Sequence, residues 1–277
     1  MLSRTIADRF ATIGAQQYMF SGDFQTEAQA LDTLKKIRAL GYDSVEMCGF
    51  LMAPNPEKTV YPWPELIAEA GLSVCGLHES VEDLRVRTDE LIERARWLGA
   101  KRMVAAAATR VDFSDDEQVT GLMRDLNDIG RATRDAGLPL IYHNHNQELE
   151  RAKGRRESAL HRMLGEVDPA LMGFELDVAH IQTAGASPEA WCRRAKGRLS
   201  LLHVCDKGPR HGAPGELMRP MDSLPLGEGN MEWEAILAAA AESGAEGIVL
   251  EAVCDWGDEG RFGAARVSRE YLRGILK

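Results

Sequence analysis

Paired cysteines are missing from this chain. Cys48, Cys75, Cys192, Cys205 and Cys254 are odd in number and widely spaced, with no C-x-x-C among them, which leaves neither a disulfide framework nor a zinc ribbon to organise the fold. Also missing is any apolar run long enough to span a bilayer. The opening segment MLSRTIADRF has no signal-like apolar stretch either, so the expected location is the cytoplasm, a reducing compartment. Positive charge is in deficit: 33 Lys and Arg against 43 Asp and Glu, a net charge of −10. Phosphate backbones call for cationic surface, so neither nucleic acid nor membrane is an expected partner. Finally, the turn after the first strand candidate, MFSGDFQT, holds one glycine, which disfavours the Gly-rich phosphate loop of an open doubly wound sheet.

What is present is a repeating unit. The 277 residues, 44% hydrophobic and 27% charged, suit an ordinary globular protein with a full core, and a closed α/β barrel needs about 250 residues. Eight short apolar runs read as strands: Ala11 to Tyr18, Tyr42 to Met47, Leu72 to Leu77, Arg102 to Ala107, Leu138 to Tyr142, Met172 to Leu176, Leu199 to Leu202, and Gly247 to Leu250. Between them lie stretches of helical periodicity, such as Asp89 to Leu98 and Glu117 to Ala136. Glycines at 41, 71, 99, 137 and 244 each follow such a stretch, the joint by which a helix ends and feeds a buried parallel strand. With no break in composition, the expectation is α/β, a single (β/α)8 TIM barrel over residues 1–277. The Gly- and Pro-rich stretch Lys207 to Gly229 shows weak periodicity and is read as a lid or substrate-contact loop.

Residues able to bind metals or move protons fall at the ends of these strands. His78 closes the third, His143 and His145 the fifth with Glu148 just beyond, Asp177 the sixth, His203 the seventh and Glu251 the eighth. Strand carboxyl ends of a barrel converge on one mouth. One such histidine alone is ordinarily a hydrogen-bonded core residue, and one such acid a helix cap. Together they form a charged cluster in a low-dielectric mouth, which calls for a compensating cation. Mixed oxygen and nitrogen donors suit one catalytic divalent ion, Mn, Mg, Co or Zn. His143 and His145 are two apart and share one side of an extended strand. Glu175 shares the inward side of Asp177, in a position to orient a histidine. Glu46 on the second strand reads either as a substrate contact or as half of a buried ion pair. Lys207, after the seventh strand, is a candidate for a hydroxyl or phosphate.

The stretches GYDSVEM, GLSVCGLH, IYHNHNQE, GFELDVAHIQTAG, GRLSLLHVCDK and LGEGNMEWEAILAAAAESGAEGIVLE resemble, in order and spacing, the sugar phosphate isomerase/epimerase family with the xylose isomerase-like barrel. That group also holds inosose dehydratases, ketose 3-epimerases and AP endonucleases. The resemblance implies one divalent ion held by an acid after strand five, Asp177, His203 and Glu251. Relatives often carry Glu where this chain has His143, so either His143 replaces it or Glu148 supplies the carboxylate. Many relatives read HVKD after strand seven, whereas here Cys205 takes the Lys position and Lys207 follows Asp206.

The implied activity is proton abstraction alpha to the carbonyl of a small sugar or polyol-derived substrate, through an enediolate. Isomerisation or epimerisation is expected, with dehydration of an inosose or 3-keto-glycoside as the alternative. Glu251 and the strand-five acid or imidazole (Glu148, His143) are the candidate bases, and His145 the candidate acid. His78, Glu46, His143, Lys207 and Trp256 are the candidate substrate contacts, with Phe20 and Trp256 placed to stack on a sugar ring. An AP endonuclease would need more His and Glu ligands than can be placed and a less acidic chain. A non-catalytic sugar-binding barrel would have no need of the Asp177, His203 and Glu251 set. Relatives are often dimers or tetramers, so the resemblance also admits a homo-oligomer.

Overall fold

The computed structural model describes residues 9–52, 61–210 and 219–277. Residues 1–8 of the amino-terminal segment and 211–218 of the predicted lid loop lie outside the described residues. Eight parallel strands close into one barrel: β1 (Thr12–Gln16), β2 (Ser44–Cys48), β3 (Ser73–Ser80), β4 (Met103–Ala106), β5 (Leu140–His143), β6 (Met172–Asp177), β7 (Leu199–Val204) and β10 (Gly247–Leu250). The ring is sealed by parallel pairing of Thr12 with Gly247 through Ala15 with Leu250. Each of the eight apolar runs overlaps one of these strands, and β2, β3, β5, β6 and β7 continue one to three residues past their runs. The first run overshoots, because Gln17–Asp23 turns into 3-10 helix once the Gln16 side chain accepts from the Tyr18 N–H. The open sheet is therefore excluded in favour of the closed one.

Helices α1 (Glu27–Leu40), α2 (Trp63–Glu69), α3 (Val81–Leu98), α4 (Asp116–Asp135), α5 (Ala159–Glu166), α6 (Val178–Thr183), α7 (Pro188–Arg194), α8 (Trp233–Ser243) and α9 (Gly260–Ile275) surround the barrel. Their starts are set by local chemistry. Thr26, Ser80, Asp115 and Ser158 each accept a backbone N–H of the first turn, satisfying donors the helix cannot. Their ends use the expected glycines: Gly41 at φ 97° and Gly244 at φ 105° adopt the left-handed turn that a β-carbon would resist. None of the described helices is long and apolar enough to cross a membrane.

The core has two parts. A large apolar layer lies between strands and helices, and a small one inside the barrel consists of Cys75, Val104, Ile141, Leu201 and Val249. Alternation along a strand places Ile141 and His143 on one side, likewise Leu201 and His203, and Val249 and Glu251. The interior thus changes from apolar to polar within one pleat, and the polar layer is the carboxyl-terminal one.

The stretch after β7 departs from the expected irregular loop. β8 (Asp206–Arg210) and β9 (Arg219–Leu224) form an antiparallel hairpin, pairing Asp206 with Leu224 and Lys207 with Ser223. DKGPR has no alternation of its own, and the buried Asp206 carboxylate supplies the anchor. It accepts from the backbone N–H groups of Lys207 (2.8 Å), Gly227 (2.9 Å) and Met231 (3.2 Å) and from Trp233 Nε1 (2.8 Å).

Candidate metal centre

The register of the barrel brings the predicted residues together. Asp177 lies beside His203 across β6 and β7, and His143 beside Glu175 across β5 and β6. His143, Asp177 and His203, all buried, each present a ligand atom such that the three atoms lie within 4.8 Å of one another. His203 Nδ1 donates to Asp177 Oδ2 at 3.2 Å and stands 4.0 Å from Glu251 Oε2. The other Asp177 oxygen accepts from the His180 N–H at 2.7 Å, capping α6. Asn144 braces the Asp177 backbone on both sides, accepting from its N–H (3.1 Å) and donating to its carbonyl (3.3 Å).

Glu148 is buried but not among the three clustered residues. Its Oε1 accepts from Tyr142 Oη (2.8 Å) and its Oε2 from the His145 N–H (2.9 Å). The short 3-10 turn Gln147–Leu149 folds it back onto its own strand. Strand five therefore brings His143, rather than Glu148, to the cluster.

Behind the cluster lies a second ring of buried polar groups. Glu175 Oε2 is 3.4 Å from His143 Nδ1, and Glu46 Oε2 is 3.9 Å from His203 Nε2. Glu46 is fully enclosed, accepts from Gln16 Nε2, and lies 3.1 Å from His78 Nδ1. Room for it comes from Gly76, where a β-carbon would meet Glu46 Oε1 at 3.0 Å and Val104 at 2.8 Å. His78 is partly exposed at the mouth, its ring 4.9 Å from that of His143.

Charge is distributed unevenly. Burial disfavours a charged His203, but its hydrogen bond to Asp177 and the nearby Glu175 and Glu251 outweigh this and push it up to about 10. Burial opposes the Asp177 charge as well, yet the His203 bond and the His180 ring hold its carboxyl at about 2. Burial and the surrounding imidazoles, His203 first, hold His143 well below its usual range. His145 is lowered by burial and His180 to about 4. Glu251 and Glu148 are both raised by burial.

Two contributors escaped the sequence reading. His180, three residues after Asp177, returns over the site in the first turn of α6, its ring 4.7 Å from His145. Gln16 closes β1 as the other polar residues close theirs, and its amide bridges Glu46 and His78. The i, i+3 spacing from a strand-end acid was a readable signal for the first. Lys207 lies at the hairpin base, near enough to His180 for its charge to depress that imidazole after burial and against the pull of Asp177. Trp256, in the loop after β10, is half-buried against the apolar core. Phe20 is a correction: it is buried and stacks on Phe262 with centroids 4.9 Å apart, so it is not free to meet a ligand.

A closed parallel barrel with imidazoles and carboxylates gathered at its carboxyl-terminal mouth defines the class of protein. The family described as xylose isomerase-like TIM barrel matches residues 34–274, and the chain belongs to it. An inosose dehydratase of Lacticaseibacillus casei is 26% identical over 178 residues, 59% of this chain and 56% of that protein, so the match spans little more than half of the relative. Among solved structures, a sugar phosphate isomerase/epimerase from Parabacteroides distasonis ATCC 8503 superposes with a TM-score of 0.77 at 22% identity, covering 96% of each chain. A xylose isomerase-like TIM barrel protein from Mycobacterium smegmatis, in complex with magnesium, gives 0.72 at 17% identity, covering 98% of this chain and 97% of that one. At these identities the structural likeness is one of fold.

Proposed function

We propose that this chain is a divalent-metal-dependent enzyme that removes the proton alpha to the carbonyl of a sugar, keto-sugar or inosose and returns it as an isomerase or epimerase. The observation that carries this reading is the convergence of His143, Asp177 and His203 within 4.8 Å. Family membership supports it, as do relatives named for inosose dehydration and for sugar phosphate isomerisation or epimerisation. Dehydration of an inosose or 3-keto-glycoside is the alternative outcome at the same site.

The donor set fits a divalent ion. Asp177 Oδ2 and Glu251 Oε2 both face His203 Nδ1, at 3.2 and 4.0 Å, so two carboxylates converge in a buried site on a single proton, an arrangement that a cation relieves. His143, Asp177, His203 and Glu251 would hold the ion, which when bound acts as a Lewis acid on the substrate carbonyl. Glu251 is the proposed base, since burial raises its carboxyl and makes the carboxylate a stronger proton acceptor. His145, a neutral imidazole at pH 7, is the proposed donor to a developing or departing oxygen. Glu148 holds His145 in place through its backbone N–H, a positioning role. His78, kept in orientation by Glu46 and Gln16, joins Lys207 and Trp256 as a proposed substrate contact.

Elemental analysis of the purified protein is expected to find one divalent ion per chain. Asp177→Ala and His203→Ala should lose that ion together with turnover. Turnover is read as exchange of the alpha proton with deuterated water across a panel of keto-sugars, inososes and 3-keto-glycosides. Full activity in a completely metal-stripped enzyme would overturn the reading.

A further inference from the structure

We infer that the centre selects a nitrogen-accepting ion, Zn2+ or Co2+, and excludes Mg2+, because strand five presents an imidazole where a carboxylate would make the site oxygen-rich. The inference rests on the metal-centre reading above and narrows the ion it takes.

Carboxylate oxygens free to reach an ion are few at this centre. Both Glu148 oxygens are engaged inside the protein, by Tyr142 Oη and the His145 N–H. Asp177 Oδ1 is engaged by the His180 N–H, leaving Oδ2 alone toward His203 Nδ1. Glu251 Oε2 is the other carboxylate oxygen on that side of the His203 ring, at 4.0 Å. Glu46 approaches the opposite ring nitrogen, Nε2, and Glu175 approaches Nδ1 of His143. Each carboxylate therefore lies beside an imidazole nitrogen without hydrogen-bonding it in the ion-free protein, where the N–H of a histidine ligand would find its acceptor. The rings of His143 and His203 stand edge to face, with centroids 4.5 Å apart. The donors left at the centre are two imidazoles and two carboxylates. Mg2+ demands a near-octahedral shell of oxygens and gives up its waters reluctantly, whereas imidazole suits the later divalent ions.

Chelator-stripped protein would be titrated calorimetrically with ZnCl2, CoCl2, MnCl2 and MgCl2 in turn. Zn2+ and Co2+ are expected to bind at least about 1,000-fold more tightly than Mg2+, with Mn2+ between. His143→Glu should narrow the Zn2+-to-Mg2+ ratio at least about tenfold, provided its far-UV circular dichroism matches the parent. Should that variant misfold, the Co2+-loaded parent supplies an independent readout, two hyperfine-shifted exchangeable imidazole N–H resonances, one per histidine ligand. Mg2+ binding within tenfold of Zn2+, an unchanged ratio in a folded His143→Glu, or a single such resonance would each overturn the inference and leave the metal centre standing. Failure to take up any of the four ions would overturn both.

Discussion

His203 and Asp177 each set the other's charge, and the consequence can be measured in the ion-free protein. His203 is held at about 10, above its ordinary 6.5, so its contribution to stability is complete below pH 6.5 and is lost as pH rises through 10. Asp177 is held at about 2, below its ordinary 3.8, so its contribution is complete above pH 3.8 and is lost as pH falls through 2. The pair therefore stabilises the fold fully between pH 3.8 and 6.5. With a chelator present, the Tm deficit of Asp177→Asn against the parent should be widest in that window and shrink steadily toward pH 10. A deficit that stayed flat from pH 5 to 10 would show that the two side chains do not share a proton. If His203 holds the proposed ion, uptake at neutral pH must likewise expel its proton, since a metal ligand offers a lone pair.

Among the elements, the β8–β9 hairpin depends most on one side chain. Its strands bring no alternating apolar face, and its base is held by four donors meeting on Asp206. Asp206 is buried, so removing the acceptor strands several donors away from water. Asp206→Ala is expected to cost about 3 kcal/mol in chemical denaturation. It should also raise amide exchange across Lys207, Gly227 and Met231 while β1 to β6 stay protected. Asp206→Asn keeps an acceptor oxygen and should lose less. Wild-type exchange at Gly227 and Met231 in the alanine variant would contradict this anchoring. If Lys207, carried on the same strand, is the substrate contact proposed above, the variant should weaken substrate binding (KM) more than it lowers kcat.

For the whole molecule, closure is the governing fact. β1 and β10, from opposite ends of the chain, are hydrogen-bonded neighbours. Neither half of the barrel can lose its strands without opening the other. We expect residues 1–277 to unfold as one domain, with far-UV circular dichroism and the fluorescence of the buried Trp63, Trp191 and Trp233 falling on one curve. A saturating divalent ion should move the whole transition upward, by about 2.7 kcal/mol at a free concentration 100 times Kd. Two separated transitions would argue for independent units.

Much of this was legible in the order of residues. Strand-length apolar runs alternating with helical periods, joined by glycines such as Gly41 and Gly244, specify parallel βα units, and polar residues at their ends mark one rim. Those are local properties, encoded in pleat, helix period and backbone freedom. The tertiary structure alone decided what depends on distance between strands. It chose His143 over Glu148 at strand five, because a 3-10 turn folds Glu148 onto Tyr142. It buried Phe20 against Phe262 and gave DKGPR a β-strand through its partner and Asp206. Each of these outcomes is a contact between residues distant in sequence or a turn whose direction the side-chain pattern does not encode, and so no single stretch of sequence contains it.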